Sequence, residues 1–393
     1  MPAIGLWYPV YDRRLAWVGV SLETDTSISV PQDFFDRMSS EALAVDGVNS
    51  KLFFVGADIL SACKQPLKLP FPPSRLVAVL SGNFLSAEAN MAISRAWHSK
   101  NVRLAVAGLT APPGLPRDMA AMNVFDAASI RESFNEKTLL DASRSGAKLF
   151  VRGIGSMELF EWCAATGFSY FTFGGLDTPE PGEQPKDASR LPLMRLLSLV
   201  TADADAATME EVFKLDPKLA FELLRLVNSA SFGAQKEVTS FAQAIMVLGR
   251  RQLQRWLQLL MFSLRKAGDD SPNILMQRAA ERGKMMELLS QEGNEKTDRE
   301  QAFMVGVFSV LDILMKTPLA ELLESVSLPQ PVEQALLERK GRLGALLALI
   351  CATEQRNFTE IKRLLPVLNI APDTLSRFQL DAVFWALKVA GAK

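Results

Sequence analysis

Up to about residue 177 the apolar positions of this chain fall in short, nearly unbroken runs: IGLWYPVY, LAWVGVSL, KLFFVG, RLVAVL, VRLAVAGL, MNVFDAA, AKLFVRG and FSYFTFGG. Runs this short and this rich in β-branched and aromatic residues predict strands. Their continuity, in place of a strict alternation, predicts strands covered on both faces. Between them lie stretches of helical character, from Asp33 to Ala44, Ser86 to Ser99, Ser129 to Ser143 and Ser156 to Thr166. This repeated alternation predicts a parallel βα architecture closed, or nearly closed, into a TIM-type barrel. From 178 to 192 the run TPEPGEQPKDASRLP carries four prolines and no apolar period, which predicts an extended linker. Residues 193–393 show helical spacing almost throughout. AFMVGVFSVLDILM, Ala302 to Met315, is apolar nearly all round and predicts a central buried helix with Asp312 as a hydrogen-bonded structural residue. Thr208 with Glu211, and Thr297 with Glu300, have capping-box spacing. Gly341 to Gln355 and Pro372 to Ala390 extend the helical half towards the C-terminus.

The most specific run is LDPKLAFELLRLVNSASFGAQKEVTSFAQAIMVLG, Leu215 to Gly249. Asp216 and Pro217 form a helix start, Asp accepting a free backbone N–H and Pro giving up no hydrogen bond at the first turn. Leu219, Leu223, Leu226 and Val227 share a face, Asn228 and Ser229 close the helix, and Gly233 marks a turn. A second helix capped by Thr239 or Ser240 turns Ile245 and Leu248 inward and stops at Gly249. With Leu224, Ser231, Phe232 and Ala244, these residues give the DP start, L-x-x-x-NS end, SFG and A-I-x-x-L-G of the HDOD domain family, which the segment resembles. The resemblance implies an all-helical signalling module. Asn228 reads as a helix C-cap ahead of any ligand contact.

Composition narrows the function classes. Among 393 residues there are 43 basic and 44 acidic side chains, so no general nucleic-acid surface is expected, and Arg250, Arg251 and Arg255 read as a solvated or salt-bridged helix face. Cys63, Cys163 and Cys351 are widely separated, which suits a reducing cytoplasm without zinc. His98 is the single histidine, which excludes His-rich metal chemistry, and it reads as a surface helix residue. No signal peptide and no apolar run of membrane-spanning length is seen.

In WYPVYDRRLAWVGVSLETD, the residues Pro9, Val10, Tyr11, Asp12, Arg13, Val18, Gly19 and Leu22 resemble the opening of an EAL-type cyclic-diguanylate phosphodiesterase domain, in the subfamily joined to HDOD. Glu158, Phe160, Cys163, Gly167, Phe168, Tyr170 and Phe171 resemble its closing segment. The resemblance implies carboxylates at strand ends holding divalent ions that activate water. It also sets the family's metal and ligand positions on unsuitable residues: its Gln on Tyr8, its signature Glu on Ser21 and its phosphate-binding Arg on Asp25. The paired aspartates fall at Ala107, Gly108 and Leu109, and two later glutamates on Arg152 and Gly155. Glu23 shares a face with Ser21 and reads as an exposed strand-end carboxylate; Asp126 reads as buried and hydrogen-bonded.

These readings together predict a degenerate EAL-like barrel over 1–177, a linker over 178–192 and an HDOD domain with a C-terminal extension over 193–393. The expected function is that of a cytoplasmic signalling adaptor that is not an enzyme, binds no metal or cofactor, inserts in no membrane and acts through protein partners in a cyclic-di-GMP-related pathway. The alternatives are a residual cyclic-di-GMP phosphodiesterase and a receptor for that nucleotide.

Overall fold

The computed structural model describes residues 4–25, 51–61, 71–108, 119–133, 146–175, 191–205, 208–209, 212, 241–263, 274–293, 297–315, 317–324 and 328–391. These form two compact units, Met1–Asp177 together with Cys351–Lys393, and Thr178–Ile350. The expected linker run lies almost wholly outside the described residues.

The first unit is built on a closed barrel of eight strands in chain order: β1 (Gly5–Tyr11), β2 (Trp17–Thr24), β3 (Leu52–Gly56), β4 (Leu76–Leu80), β5 (Arg103–Ala107), β6 (Ala120–Asp126), β7 (Lys148–Ile154) and β8 (Tyr170–Phe173). Each coincides with one of the eight apolar runs. The expected parallel order holds for β2 to β8, while β1 runs antiparallel to both β2 and β8. A tight turn explains this: Arg14 and Ala16 N–H groups both donate to the Asp12 carboxylate, at 2.8 and 3.0 Å, and a turn this short can only reverse the chain.

Inside the barrel, Val10, Leu52, Phe54, Val77, Ala105, Met122, Val124, Phe150 and Tyr170 fill the core, with the Phe54 and Phe150 ring centroids 4.8 Å apart. Helices cover the outside: α1 (Ala57–Ser61), α2 (Gly82–Leu85), α3 (Glu88–Ser99), α4 (Ala127–Ser133) and α5 (Met157–Ala165). Ser81 and Ser156 cap α2 and α5 by accepting the Phe84 and Leu159 N–H groups. His98 is exposed on α3.

In the second unit come α6 (Leu191–Thr201), α7 (Phe241–Ser263), α8 (Ile274–Leu289), α9 (Arg299–Phe308), α10 (Leu311–Met315), α11 (Leu319–Leu323) and α12 (Gln330–Glu338). Gly249 interrupts α7 with φ 70°, ψ 158°, a backbone state that suits glycine, and this is the stop expected at that residue. The single buried helix expected over Ala302 to Met315 is two helices. α9 ends where the Ser309 hydroxyl donates to the Gly306 carbonyl at 2.7 Å and accepts from buried Arg282 at 2.8 Å. α8 and α9 cross backbone to backbone, since a Cβ on Gly306 would lie 2.5 Å from the Arg282 carbonyl oxygen. The cap of α9 is Asp298, accepting from Gln301 N–H at 2.8 Å, in place of Thr297; Thr208 N–H likewise donates to Asp205.

α13 (Gly341–Glu354), α14 (Phe358–Leu368) and α15 (Pro372–Gly391) follow. The tail had been expected to extend the helical half. Instead, residues from Cys351 onward belong to the barrel's unit. Leu380 and Phe384 of α15 pack in one cluster with Trp7, Val20, Leu22, Phe53 and Val55 on the outer barrel face. The reason is a gap in the sheet. β1 meets β8 at one register pair, Tyr11 with Phe171, and the Trp7 N–H finds its acceptor in buried Gln379 at 2.9 Å.

Candidate functional site

Because β2 to β8 run parallel, their C-terminal ends gather on one rim, where loop-borne chemistry in such barrels is placed. Period-two alternation carries the inward face of β2 from Gly19 through Ser21 to Glu23. On β6 and β7 the register pairs Asp126 with Arg152, and on β8 Thr172 reaches the same end. Two carboxylates and one guanidinium therefore meet there from the strands alone.

The fourth charged group comes from the other end of the sequence. The turn between α13 and α14 carries Arg356 in a left-handed conformation, φ 57°, and aims its side chain at the rim. Nε donates to one Glu23 oxygen at 2.7 Å and Nη2 to the other at 3.0 Å, a bidentate pair. Nη2 also donates to the Thr172 hydroxyl at 2.9 Å, and the guanidinium lies over the Tyr8 ring at 4.1 Å from its centroid. The Tyr8 hydroxyl is itself fixed by donating to the Thr353 carbonyl at 2.7 Å. Gly153 has φ +78°, and a Cβ there would fall 2.6 Å from Arg356 Nη1, so any side chain at 153 would collide with the guanidinium. Burial works against the Arg356 charge, but Glu23, Tyr8 and Asp126 outweigh it and hold the pKa above the ordinary arginine value.

The remaining sequence-selected residues fall into place around this group. Tyr8 and Ser21 are buried side by side in the β1–β2 ladder. Asp25 carries no bare charge: its carboxylate is 4% exposed, bound by Lys362 at 2.5 Å and by the Ile4 N–H at 3.1 Å. Burial raises its pKa, and the Lys362 and Ile4 hydrogen bonds more than reverse this, leaving it lowered. Ala107 is exposed at the end of β5, and Gly108 follows with φ +91°, its carbonyl accepting from Asn123 at 2.8 Å. Gly155 lies just beyond β7. Leu109 and the HDOD signature residues Asp216, Pro217, Asn228, Ser229, Phe232 and Gly233 lie outside the described residues; Gly249 is within them.

Two expectations are corrected. Glu23 is not an exposed carboxylate but 11% exposed and paired, and Asp126 is not buried but 59% exposed, held by Arg152 at 2.9 Å. Arg356, Thr172 and Lys362 were missed, because nothing in the local pattern around EQRN or YFTF marks a partner for a residue more than a hundred positions away. The available signal was the unexplained Glu23, a strand-end carboxylate with no cation nearby in sequence.

The donor set does not fit the divalent ions that the EAL resemblance implies. Both Glu23 oxygens are taken by Arg356, and Asp126 is held by Arg152. Among the described residues no three His, Cys, Asp or Glu side chains gather to hold a metal.

In the helical unit the arginine cluster is salt-bridged, as expected. Arg255 binds Glu287 at 2.7 Å and Glu300 at 2.8 Å, Arg251 also binds Glu300, and Arg250 binds Asp203 at 3.1 Å. Arg255 further lies over the Phe303 ring at 4.7 Å, which marks it as a packing residue of α7 against α9. Among the described residues no helix is long and apolar enough to cross a membrane.

A closed eight-stranded barrel and a helical region define the class, and residues 192–333, in the helical region, match the HDOD domain family. The chain is similar to the Vibrio cholerae protein named "Cyclic di-GMP phosphodiesterase CdgJ", at 27% identity over 62% of this chain and 57% of that protein. It is also similar to the uncharacterized Bacillus subtilis protein YuxH, at 28% identity over 47% of this chain and 44% of that one. The chain thus spans about half the length of the curated relatives it matches. Among solved structures it is similar to the Bacillus subtilis YkuI protein with an EAL domain, at 14% identity, 63% of this chain and 73% of that chain, with a TM-score of 0.31.

The Vibrio cholerae relative, named a phosphodiesterase, overturns the expectation that this chain is not an enzyme. That expectation counted substituted motif positions along the sequence. Position in the fold is a different measure: Glu23 and Asp126 both stand at the rim, and the Asp25 carboxylate is paired with Lys362.

Proposed function

We propose that this chain is a signal-transduction protein of a cyclic di-GMP pathway, in which the barrel meets the nucleotide, as a phosphodiesterase of residual activity or as its receptor. The HDOD module meets protein partners, in the cytoplasm. The similarity to the Vibrio cholerae phosphodiesterase carries this reading: it covers 62% of the chain, more than either half contains, so it includes part of the barrel as well as part of the helical module. The rim supports it with the Arg152 guanidinium, a group suited to phosphate oxygens, and with the buried Tyr8 ring. The near balance of 43 basic and 44 acidic residues supports a protein partner over nucleic acid for the remainder of the surface.

The test is calorimetry and product analysis with cyclic di-GMP and the full chain, in magnesium and in manganese. Saturable one-to-one binding, with or without slow conversion to the linear dinucleotide, is the expected result. A folded protein that neither binds nor converts the nucleotide under either metal, including after Arg356→Gln, would refute the assignment of the barrel to cyclic di-GMP.

A further inference from the structure

The turn between α13 and α14 enters the barrel rim, and the partners of its arginine there are polar or aromatic. Glu23 supplies two oxygens at 2.7 and 3.0 Å, Thr172 a hydroxyl at 2.9 Å and Tyr8 a ring face at 4.1 Å. Space for the side chain is left by Gly153 and Gly174, whose hypothetical Cβ atoms would lie 2.6 and 3.5 Å from Nη1. The guanidinium thus sits in a socket contributed by β1, β2, β7 and β8, above an interior already filled by Phe54, Phe150 and Tyr170.

We infer that Arg356 is a displaceable plug of the barrel mouth: a cation tethered by the C-terminal segment, which holds both oxygens of Glu23 and must leave before a ligand can use that carboxylate or the Tyr8 face. Only the identity of that ligand, cyclic di-GMP, rests on the functional reading above.

Three observations argue for displacement over a permanent wall. The hydrogen bonds of the Arg356 side chain are ones that water can replace, at 19% exposure of that side chain. The helices on either side are held independently of it: Leu349, Ile350 and Ala352 of α13 are buried, as are Ile361, Leu364 and Leu365 of α14. The backbone of the turn is closed by the end of α13 itself, the Arg356 N–H donating to the Thr353 carbonyl at 3.1 Å and the Asn357 N–H to the Ala352 carbonyl at 2.9 Å, so the left-handed φ of 57° belongs to the helix end and only side-chain contacts need break.

The test uses the full chain and two independent readouts. Phenylglyoxal modification, mapped by peptide mass, reads guanidinium access, with Arg363, 62% exposed, as the reference. Arg356 reacts slowly in the native protein, and Glu23→Gln, which keeps the shape but removes the charge, raises its rate relative to Arg363 about tenfold if the closed state is favoured by a similar factor. An unchanged rate in a variant that keeps the native fold overturns the plug. In calorimetry with cyclic di-GMP and manganese, Arg356→Gln binds about tenfold more tightly than the native chain, because apparent affinity scales with the open fraction. Equal, measurable affinities overturn the plug and leave the nucleotide reading intact. Absence of binding in both proteins, alongside a Glu23→Gln effect on reactivity, overturns the nucleotide reading and leaves the plug intact. Should Arg356→Gln fail to fold, the reactivity arm decides.

Discussion

Substituting Arg356 by Ala removes the cation from a carboxylate that is 11% exposed and leaves Glu23 facing the Tyr8 ring and the Thr172 hydroxyl. Deleting one partner of a buried ion pair costs about 3–5 kcal/mol, most of it the cost of the orphaned charge. The rim position lets water reach Glu23 once the side chain is gone, which places the expected loss near the lower end, about 3 kcal/mol. Glu23→Ala should cost less, about 2 kcal/mol, because the longer guanidinium can turn towards solvent. If the pair acts as a unit, the double variant loses less than the sum, with a coupling of about 2 kcal/mol. Urea unfolding followed by tryptophan fluorescence is the suitable assay, since Trp7, Trp17, Trp97, Trp162 and Trp385 lie in the barrel's unit and only Trp256 in the other. With a slope of about 2–3 kcal/mol per molar urea, Arg356→Ala should lower the barrel midpoint by about 1 M. A loss below about 0.5 kcal/mol, the range of ordinary surface substitutions, would show that the pair is solvated and would refute the reasoning.

Four further outcomes are expected. Gly306→Ala should destabilise the helical unit by about 1–3 kcal/mol or more, because its Cβ would meet the Arg282 carbonyl at 2.5 Å; thermal melts would read this, and a neutral result would refute the close crossing. A chain ended at residue 177 should aggregate or bind a hydrophobic dye, since it lacks Gln379, Leu380 and Phe384; a soluble, cooperatively melting fragment would show that the barrel closes without them. Asp298→Ala should cost about 1 kcal/mol as the loss of a helix cap, whereas Thr297→Ala should not remove that cap; equal losses in denaturant would contradict the assignment. Burial raises the folded-state pKa of Asp312, against the partial relief given by the Ile313 N–H and Arg282, so its ionisation opposes folding as pH rises above the unfolded value near about 4. Asp312→Asn should therefore stabilise the helical unit at neutral pH, with the gain fading below about pH 4, and urea midpoints at several pH values would check it.

The eight strands were legible because a strand covered on both faces must be apolar at nearly every position, a signal local to five or eight residues. The hand of β1 was not legible in the same way, since it depends on a turn held by one carboxylate, Asp12, and not on the apolar run. Helix existence along residues 302–315 was legible, but the break at Ser309 was not. It arises from Arg282 on another helix, whose hydrogen bonds compete with helix continuation. The cap at Asp298 was mistaken for Thr297 because both side chains suit the role and only geometry separates neighbours. The site was legible to the extent of Glu23 and Asp126, and hidden in its partners. Arg356 lies 333 residues from Glu23, and no periodicity spans that distance.

The docking of Leu380, Phe384 and Gln379 on β1 and β2 has a consequence in time. β1 and β2 emerge from the ribosome with an apolar outer face, including Trp7 and Leu22, whose cover at Leu380 and Phe384 is made only after the whole helical unit. All of Thr178–Ile350 is synthesised in between, which at about 5–20 residues per second takes roughly 10 to 35 s. For that interval the nascent barrel presents an incompletely sealed seam to the cytosol. Its folding yield should therefore depend on translation speed through the helical half and on chaperones that bind exposed apolar strands, although neither touches the barrel's own coding region.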